Sequence, residues 1–294
     1  MIVAVCADKG APGVSTLAVA LGLVWPGERV VLEADPSGGM AMFRMSRADT
    51  GEVLSLEPSV ASLGAACRLG LPANGVVRYA QPTSLGVDVV PGLLTPERFA
   101  PMRNLWPQVG SELSQWRGTV IADLGRMQPG NAALPVAMAA TCVLLLGRAT
   151  TEGLFGLRER AADLVHQLGD PTRERPSLAV VVTGPTSKRK QAVRSAEEML
   201  TAAGIPVPVV GFWAEDRAGA DGLWTGMLTR RVAGSDLVRS ARSIAEEVIQ
   251  RYPHLVGAPE PMDADTAPDE PVGRGSRSGD AAAATSLAGS EGLR

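Results

Sequence analysis

Histidine and lysine are nearly missing from this 294-residue chain, and cysteine is sparse. The two histidines, His166 in a helical stretch and His254 near the start of the C-terminal tail, leave almost no material for a histidine-based hydrolase triad or metal cluster. Cys6, Cys67 and Cys142 stand apart without a CxxC pair, so neither a disulfide framework nor a zinc site is suggested. Cys6 and Cys142 fall in apolar, strand-like runs and read as small core residues. No apolar run approaches the roughly 18 to 20 residues that a membrane span needs, so any membrane contact would be peripheral. The opening Met1–Cys6 run is apolar but too short for a signal sequence and lacks a basic leader. The compartment these absences predict is the cytoplasm.

What is present is an ordinary globular composition, 45% hydrophobic and 20% charged, enough to bury one sizeable core. The net charge of −3 is unevenly placed. From Pro259 onward there are seven acids against three arginines, which leaves the rest near neutrality. Bulk charge therefore does not mark the folded part as a polyanion binder. With only Lys9, Lys188 and Lys190 against many arginines, the placement of Lys9 carries information.

Short β-branched runs alternate with longer helical patterns, which predicts βαβ units and a three-layer α/β fold, a mostly parallel twisted sheet covered on both faces. Strands are expected at Ile2–Ala7, Arg29–Glu33, Val87–Val90, Thr119–Ala122, Cys142–Leu146, Leu178–Val182 and Val207–Phe212, mostly continuous apolar runs as in central parallel strands. Helices are expected at Ser15–Leu23, Ser59–Arg68, Glu152–Leu168, Gln191–Ala203 and Asp236–Arg251. In the last, Leu237, Ala241, Ile244, Val248 and Tyr252 recur at spacings of three and four and form one apolar stripe. From Ala258 the composition turns to Pro, Asp, Ala, Gly and Ser with hardly a large apolar residue. The predicted organisation is one domain over 1–257 and a disordered acidic tail over 258–294.

Between the first strand and the first helix lies Asp8-Lys9-Gly10-Ala11-Pro12-Gly13-Val14-Ser15-Thr16. A small-residue turn there gathers backbone N–H groups and the helix's positive end around one point, which makes an anion site with phosphate as its natural guest. A plain strand-to-helix turn without ligand is the alternative. The ordinary pattern GxxxxGK[ST] fails twice, with Asp8 at the first glycine and Val14 at the lysine. The segment instead resembles the deviant Walker A motif of MinD/ParA proteins in the SIMIBI class, KGGxGK[ST][ST], over Lys9, Gly10, Ala11, Pro12, Gly13, Val14, Ser15 and Thr16.

That resemblance implies an ATP-binding protein that uses Mg²⁺ and works as a homodimer. Lys9 would be the signature lysine that reaches the partner's nucleotide, Ser15 would hold Mg²⁺ and Thr16 would bind phosphate. Val14 is the departure, because an isopropyl group offers neither the donors nor the charge of the P-loop lysine. Losing one charge-assisted hydrogen bond costs about 1.5–3 kcal/mol in binding, and phosphoryl transfer should lose more. Weak or absent hydrolysis is the expectation.

Four further segments resemble the family in the right order along the chain. Val30–Pro36 is similar to its DxDP segment, which makes Asp35 the residue that orients the attacking water, with Glu33 replacing the earlier aspartate. Thr119–Arg126 has the form of a Walker B strand, whose Asp123 would accept from Mg²⁺-bound water. Val209–Asp216 resembles the segment beside the nucleotide base and brings in Asp216 for the cofactor. Leu178–Pro185 resembles the strand that ends in a base-contacting Asn-Arg, but Thr183-Gly184 stand there. Asp123-Leu124-Gly125-Arg126 and the altered loop look most like the CpaE/TadZ branch, which places pilus or secretion machinery at a cell pole, and the loop spelling looks actinobacterial.

Three functions follow. The first is a nucleotide-dependent dimerising switch that positions a cellular machine through a protein partner, recruited to a pole, the nucleoid or the inner membrane face. The second is a non-catalytic scaffold on the same fold. The third is a DNA-riding partition ATPase, for which Lys188-Arg189-Lys190 with Arg194, and Arg230-Arg231 with Arg239 and Arg242, supply only a few phosphate contacts. An acidic, apolar-poor tail argues against a C-terminal membrane anchor.

Overall fold

The first strand, β1 (Ile2–Ala7), is buried along its whole length and lies at the centre of an eight-stranded sheet. The computed structural model describes residues 1–10, 12–72, 74–169, 177–226 and 228–252. Ala11, His254 and the tail over 258–294 lie outside the described residues. From β1 the chain enters α1 (Val14–Val24), then β2 (Arg29–Glu33), α2 (Ala41–Arg44), α3 (Val60–Cys67), β3 (Gln81–Pro82), β4 (Asp88–Val90), α4 (Pro96–Phe99) and α5 (Trp106–Gln115). It continues through β5 (Thr119–Arg126), α6 (Leu134–Met138), β6 (Cys142–Arg148), α7 (Thr151–Gln167) and β7 (Ser177–Gly184). The last elements are α8 (Arg189–Ala202), β8 (Val209–Ala214), α9 (Arg217–Trp224), α10 (Arg230–Ala233) and α11 (Asp236–Arg251).

The strand order is β3-β4-β2-β5-β1-β6-β7-β8, and every pairing is parallel except that of the two-residue β3 with β4. The chain runs outward from β1 to β2 and β4, returns through β5, and crosses β1 to reach β6. The direction of winding therefore reverses around β1, and the loops at the carboxyl ends of β1, β2 and β5 open onto one crevice. Alternation along β1 divides the core. Ile2, Ala4 and Cys6 face a cluster with α3, α5, α6, α7 and α8, while Val3, Val5 and Ala7 face one with α1, α9, α10 and α11. The expected three-layer α/β architecture is thus present.

The expected strands and helices all occur, with boundaries moved by a few residues. The largest shift is in β5, which continues beyond Ala122 to Arg126 because Ala7 pairs with Arg126 after one extra residue in β5. Elements without an expectation are α5 and α9 among the longer helices, the short α2, α4, α6 and α10, and β3. The α5 stripe, Trp106, Val109, Gly110 and Leu113, is buried against the sheet, but Pro107 and a polar opposite face break the run of sequence. In α11 the stripe Leu237, Ala241, Ile244 and Val248 is buried against β8 and α1, and Tyr252 caps its carboxyl end.

Candidate functional site

The β1–α1 loop begins with an anchored residue. Asp8 is largely buried and accepts from both Nε and Nη2 of Arg160 on α7, each at 3.1 Å, while Arg160 also reaches Asp163 at 3.2 Å. The next residue behaves oppositely. The Lys9 side chain is 74% exposed, with Nζ 4.0 Å from Asp8 Oδ2, and so stands on the rim of the protein. Gly10 is exposed, Pro12 is buried, and Gly13 takes φ +98°, a left-handed turn into α1 that glycine adopts without strain. A Cβ at Gly13 would also lie 3.3 Å from Nε1 of Trp213.

Helices α7, α9 and α11 each begin with a side-chain oxygen, from Thr150, Asp216 and Ser235, accepting a first-turn amide. Helix α1 has no such cap, so the first-turn amides at Val14, Ser15 and Thr16 point toward the crevice without one. Val14 is the first helical residue and is only 4% exposed, packed in the core beneath the loop. Its apolar side chain therefore completes the core at the position where the P-loop pattern places a cation.

Gly13, Val14, Ser15 and Thr16 share a cavity of about 280 Å³ with Asp35, Ser37, Met40, Arg44, Gly125, Arg126 and Trp224. Asp35 follows β2 and accepts from the Ser37 amide at 2.8 Å. It rests so closely on Gly125, at φ +59°, that a Cβ there would fall 2.0 Å from the Asp35 carboxyl carbon. Asp123 lies behind this pair, inside β5 and 2% exposed, rather than solvated at the end of a strand. It accepts from the Gly125 amide at 3.0 Å and shares a hydrogen bond with the Ser15 hydroxyl. Burial pushes its carboxyl up to about 7, Asp35 and Glu33 add to the rise, and the Ser15 and Gly125 hydrogen bonds oppose it. The two residues expected to serve a metal, Ser15 and Asp123, are thus side by side.

Glu33, the substituted residue in the second motif, has an architectural place. Its carboxylate accepts from the amides of Met40 at 3.0 Å, Ala41 at 2.9 Å and Gly92 at 2.9 Å, which ties the start of α2 to the loop after β4. Burial raises its pKa above the ordinary carboxyl value against the pull of these three hydrogen bonds. Thr16 accepts from Nε1 of Trp224 on α9 at 3.1 Å, and the Arg44 guanidinium lies over that indole, 4.3 Å from the ring centroid. Arg44, Arg126, Trp224 and Arg160 were not legible as site residues. Arg126 closes the Walker B-like segment without a role of its own in it, the other three fall in no motif, and α9 has no sequence link to the loop.

Asp216 stands outside the lining of this cavity, with its carboxylate accepting from the Gly219 amide at 2.8 Å as the cap of α9. Thr183 and Gly184, at the positions of the missing Asn-Arg, line a separate cavity of about 750 Å³ between α7 and α8, together with Arg148 and its ion-pair partner Glu215. In the basic clusters, Arg194 pairs with Glu198 and Arg239 with Asp236.

No protein-family model and no curated protein matches the chain. Among solved structures it is similar to a ParA family ATPase from Chlorobium tepidum, at TM-score 0.63 and 16% identity over 83% of this chain and 98% of that one. The cell division ATPase MinD of Pyrococcus furiosus is similar at TM-score 0.61 and 16% identity over 85% and 98%. The septum site-determining protein MinD of Pyrococcus horikoshii, solved with Mg-ADP, is similar at TM-score 0.60 and 14% identity over 84% and 95%. At such identities the likeness is one of fold. The chain has the MinD/ParA P-loop NTPase fold, an eight-stranded, mostly parallel sheet between layers of helices. Among the described residues no helix is long and apolar enough to cross a membrane.

Proposed function

We propose that the chain is a nucleotide-dependent switch, which binds ATP with Mg²⁺, pairs with a second copy when loaded, and hydrolyses slowly or not at all. The observation that carries this reading is the convergence of the uncapped start of α1 with Ser15, Asp35 and Asp123 on one crevice, with a valine where the P-loop lysine would be. Backbone amides and the helix dipole suit a polyphosphate. The adjoining hydroxyl and carboxylate of Ser15 and Asp123 suit Mg²⁺, which favours oxygen ligands and keeps several waters. When bound there, the cation would supply positive charge against that of the phosphates. Binding of Mg-ADP by the Pyrococcus horikoshii MinD, on the same fold, supports this assignment.

At about 280 Å³ the cavity is near the lower end of the range for small-ligand pockets, so it accommodates the phosphate end and leaves the base outside its lining. Asp216 and the loop after β7 are the candidates for contact with the base. Lys9, exposed on the rim, can reach a nucleotide held by a second copy. Asp35, in the cavity lining, is the proposed residue to orient water, but without the loop lysine the charge that grows in the transition state lacks its usual nearest cation. Proteins of this type position cellular assemblies, and a pilus or secretion apparatus or a partitioned DNA is the proposed cargo. The proposed setting is the cytoplasm, with recruitment by a protein partner.

The test is a titration of a fluorescent ATP analogue with Mg²⁺ against wild type, Lys9→Ala and Val14→Lys, with sedimentation followed in parallel. The switch reading predicts wild-type binding at sub-millimolar nucleotide, and dimer formation that Lys9→Ala abolishes while leaving binding within about three-fold. If wild type binds nothing at millimolar nucleotide while Val14→Lys does, the second reading, a non-catalytic scaffold, replaces it. That reading is favoured by one observation, the burial of Val14 as a core residue.

A further inference from the structure

Val14 withholds a positive charge from the loop, and the cavity it borders is otherwise rich in acids. Asp35 lines it, with Asp123 and Glu33 close behind. The amides of α1 bring only partial charges to a polyphosphate. Cations must come from another wall if the phosphate end is to be held. Of the residues lining the cavity, Arg44 and Arg126 are the cationic ones, and both are exposed. Among the described residues neither guanidinium has a carboxylate partner.

We infer that Arg44, held over Trp224 and assisted by Arg126, binds the phosphate chain of the nucleotide in place of the missing loop lysine. The inference rests on the nucleotide reading above and narrows it to a polyphosphate site completed by α2. A continuous set of contacts sets the position of Arg44. Glu33 accepts from the amides of Met40 and Ala41 and so fixes the start of α2, at whose last turn Arg44 stands. The guanidinium lies over the ring of Trp224, whose Nε1 donates to Thr16 in the first turn of α1. A cation–π contact uses the charge of a guanidinium and none of its N–H groups, which remain available to donate. A planar fork is suited to two oxygens of a phosphate, where a lysine would offer a point charge. Glu33 and Trp224 are accordingly positioning residues, and Arg44 a binding residue.

The experiment measures affinity for a fluorescent ATP analogue, with pyrophosphate and AMP as competitors, across an ionic-strength series using the full chain. Arg44→Gln is expected to weaken ATP-analogue and pyrophosphate binding about ten-fold or more and to flatten the salt dependence, with AMP competition changed less than about two-fold. Arg44→Lys should restore part of the loss, Trp224→Phe should lose less than Arg44→Gln, and Arg126→Gln should lose about three-fold. Thermal melting checks that each variant is folded. If Arg44→Gln and Arg126→Gln both bind within two-fold of wild type, the assignment is overturned while the nucleotide reading stands. If wild type itself binds neither the analogue nor pyrophosphate at millimolar concentration, both fall together.

Discussion

At Asp123 and Glu33 the protein buries two carboxyls whose pKa values both lie above the ordinary range, the first pushed up to about 7. The folded chain therefore keeps protons that the unfolded chain has released. Stability in metal-free buffer is greatest at the acid end of this window and falls as the pH rises from the ordinary carboxyl range through about 7. Thermal melts between about pH 5.5 and pH 8 should show this decline, and Asp123→Asn should remove most of it while adding roughly 2 kcal/mol at the upper end. A melting temperature that rises with pH over this range would refute the account. Cys6, Cys67 and Cys142 are all buried, with thiols pushed up to about 12, chiefly by burial. An aromatic disulfide reagent near neutral pH should therefore modify none of them in the native protein and all of them after denaturation.

Among the elements, α7 and the β1–α1 loop are joined by the Asp8–Arg160 pair, both side chains largely buried. Removing one partner leaves a buried charge alone, which is the costly case. Arg160→Met should cost roughly 3 kcal/mol in urea unfolding, and Asp8→Gly in the same chain should recover part of it. A double variant no more stable than Arg160→Met would show that the pair is not the source of the loss. The elements differ in how plainly the residues announce them. The continuous apolar runs of β1, β2, β6, β7 and β8 are strands of a sheet buried on both faces, and their alternation with amphipathic stretches was enough to predict a mostly parallel sheet, while the order of the strands within it came from the structure. Helix α9 has no such signal, because its role depends on Trp224 meeting Thr16, 208 residues away. The end of β5 was misread for a similar reason. Its extension past Ala122 follows from pairing with β1, which local composition does not encode.

For the whole molecule, the fold opens its crevice at the carboxyl ends of the central strands and leaves its arginine clusters elsewhere, partly neutralised by Glu198 and Asp236. Random duplex DNA should accordingly show no salt-sensitive retention even at low ionic strength, and a steep salt dependence in a filter-binding or polarisation assay would revive the partition reading. The residues by themselves determined the α/β class and the positions of the strands' apolar runs along the chain, since these depend on local periodicity, while Lys9, Asp35 and Asp123 were marked by the resemblance of their segments to the MinD/ParA motifs. Tertiary structure alone decided that Val14 belongs to the core, that Asp123 is buried against Ser15, and that Arg44 reaches the crevice from α2. The environment of a side chain is set by what distant segments pack against it, and that information is spread over the whole chain.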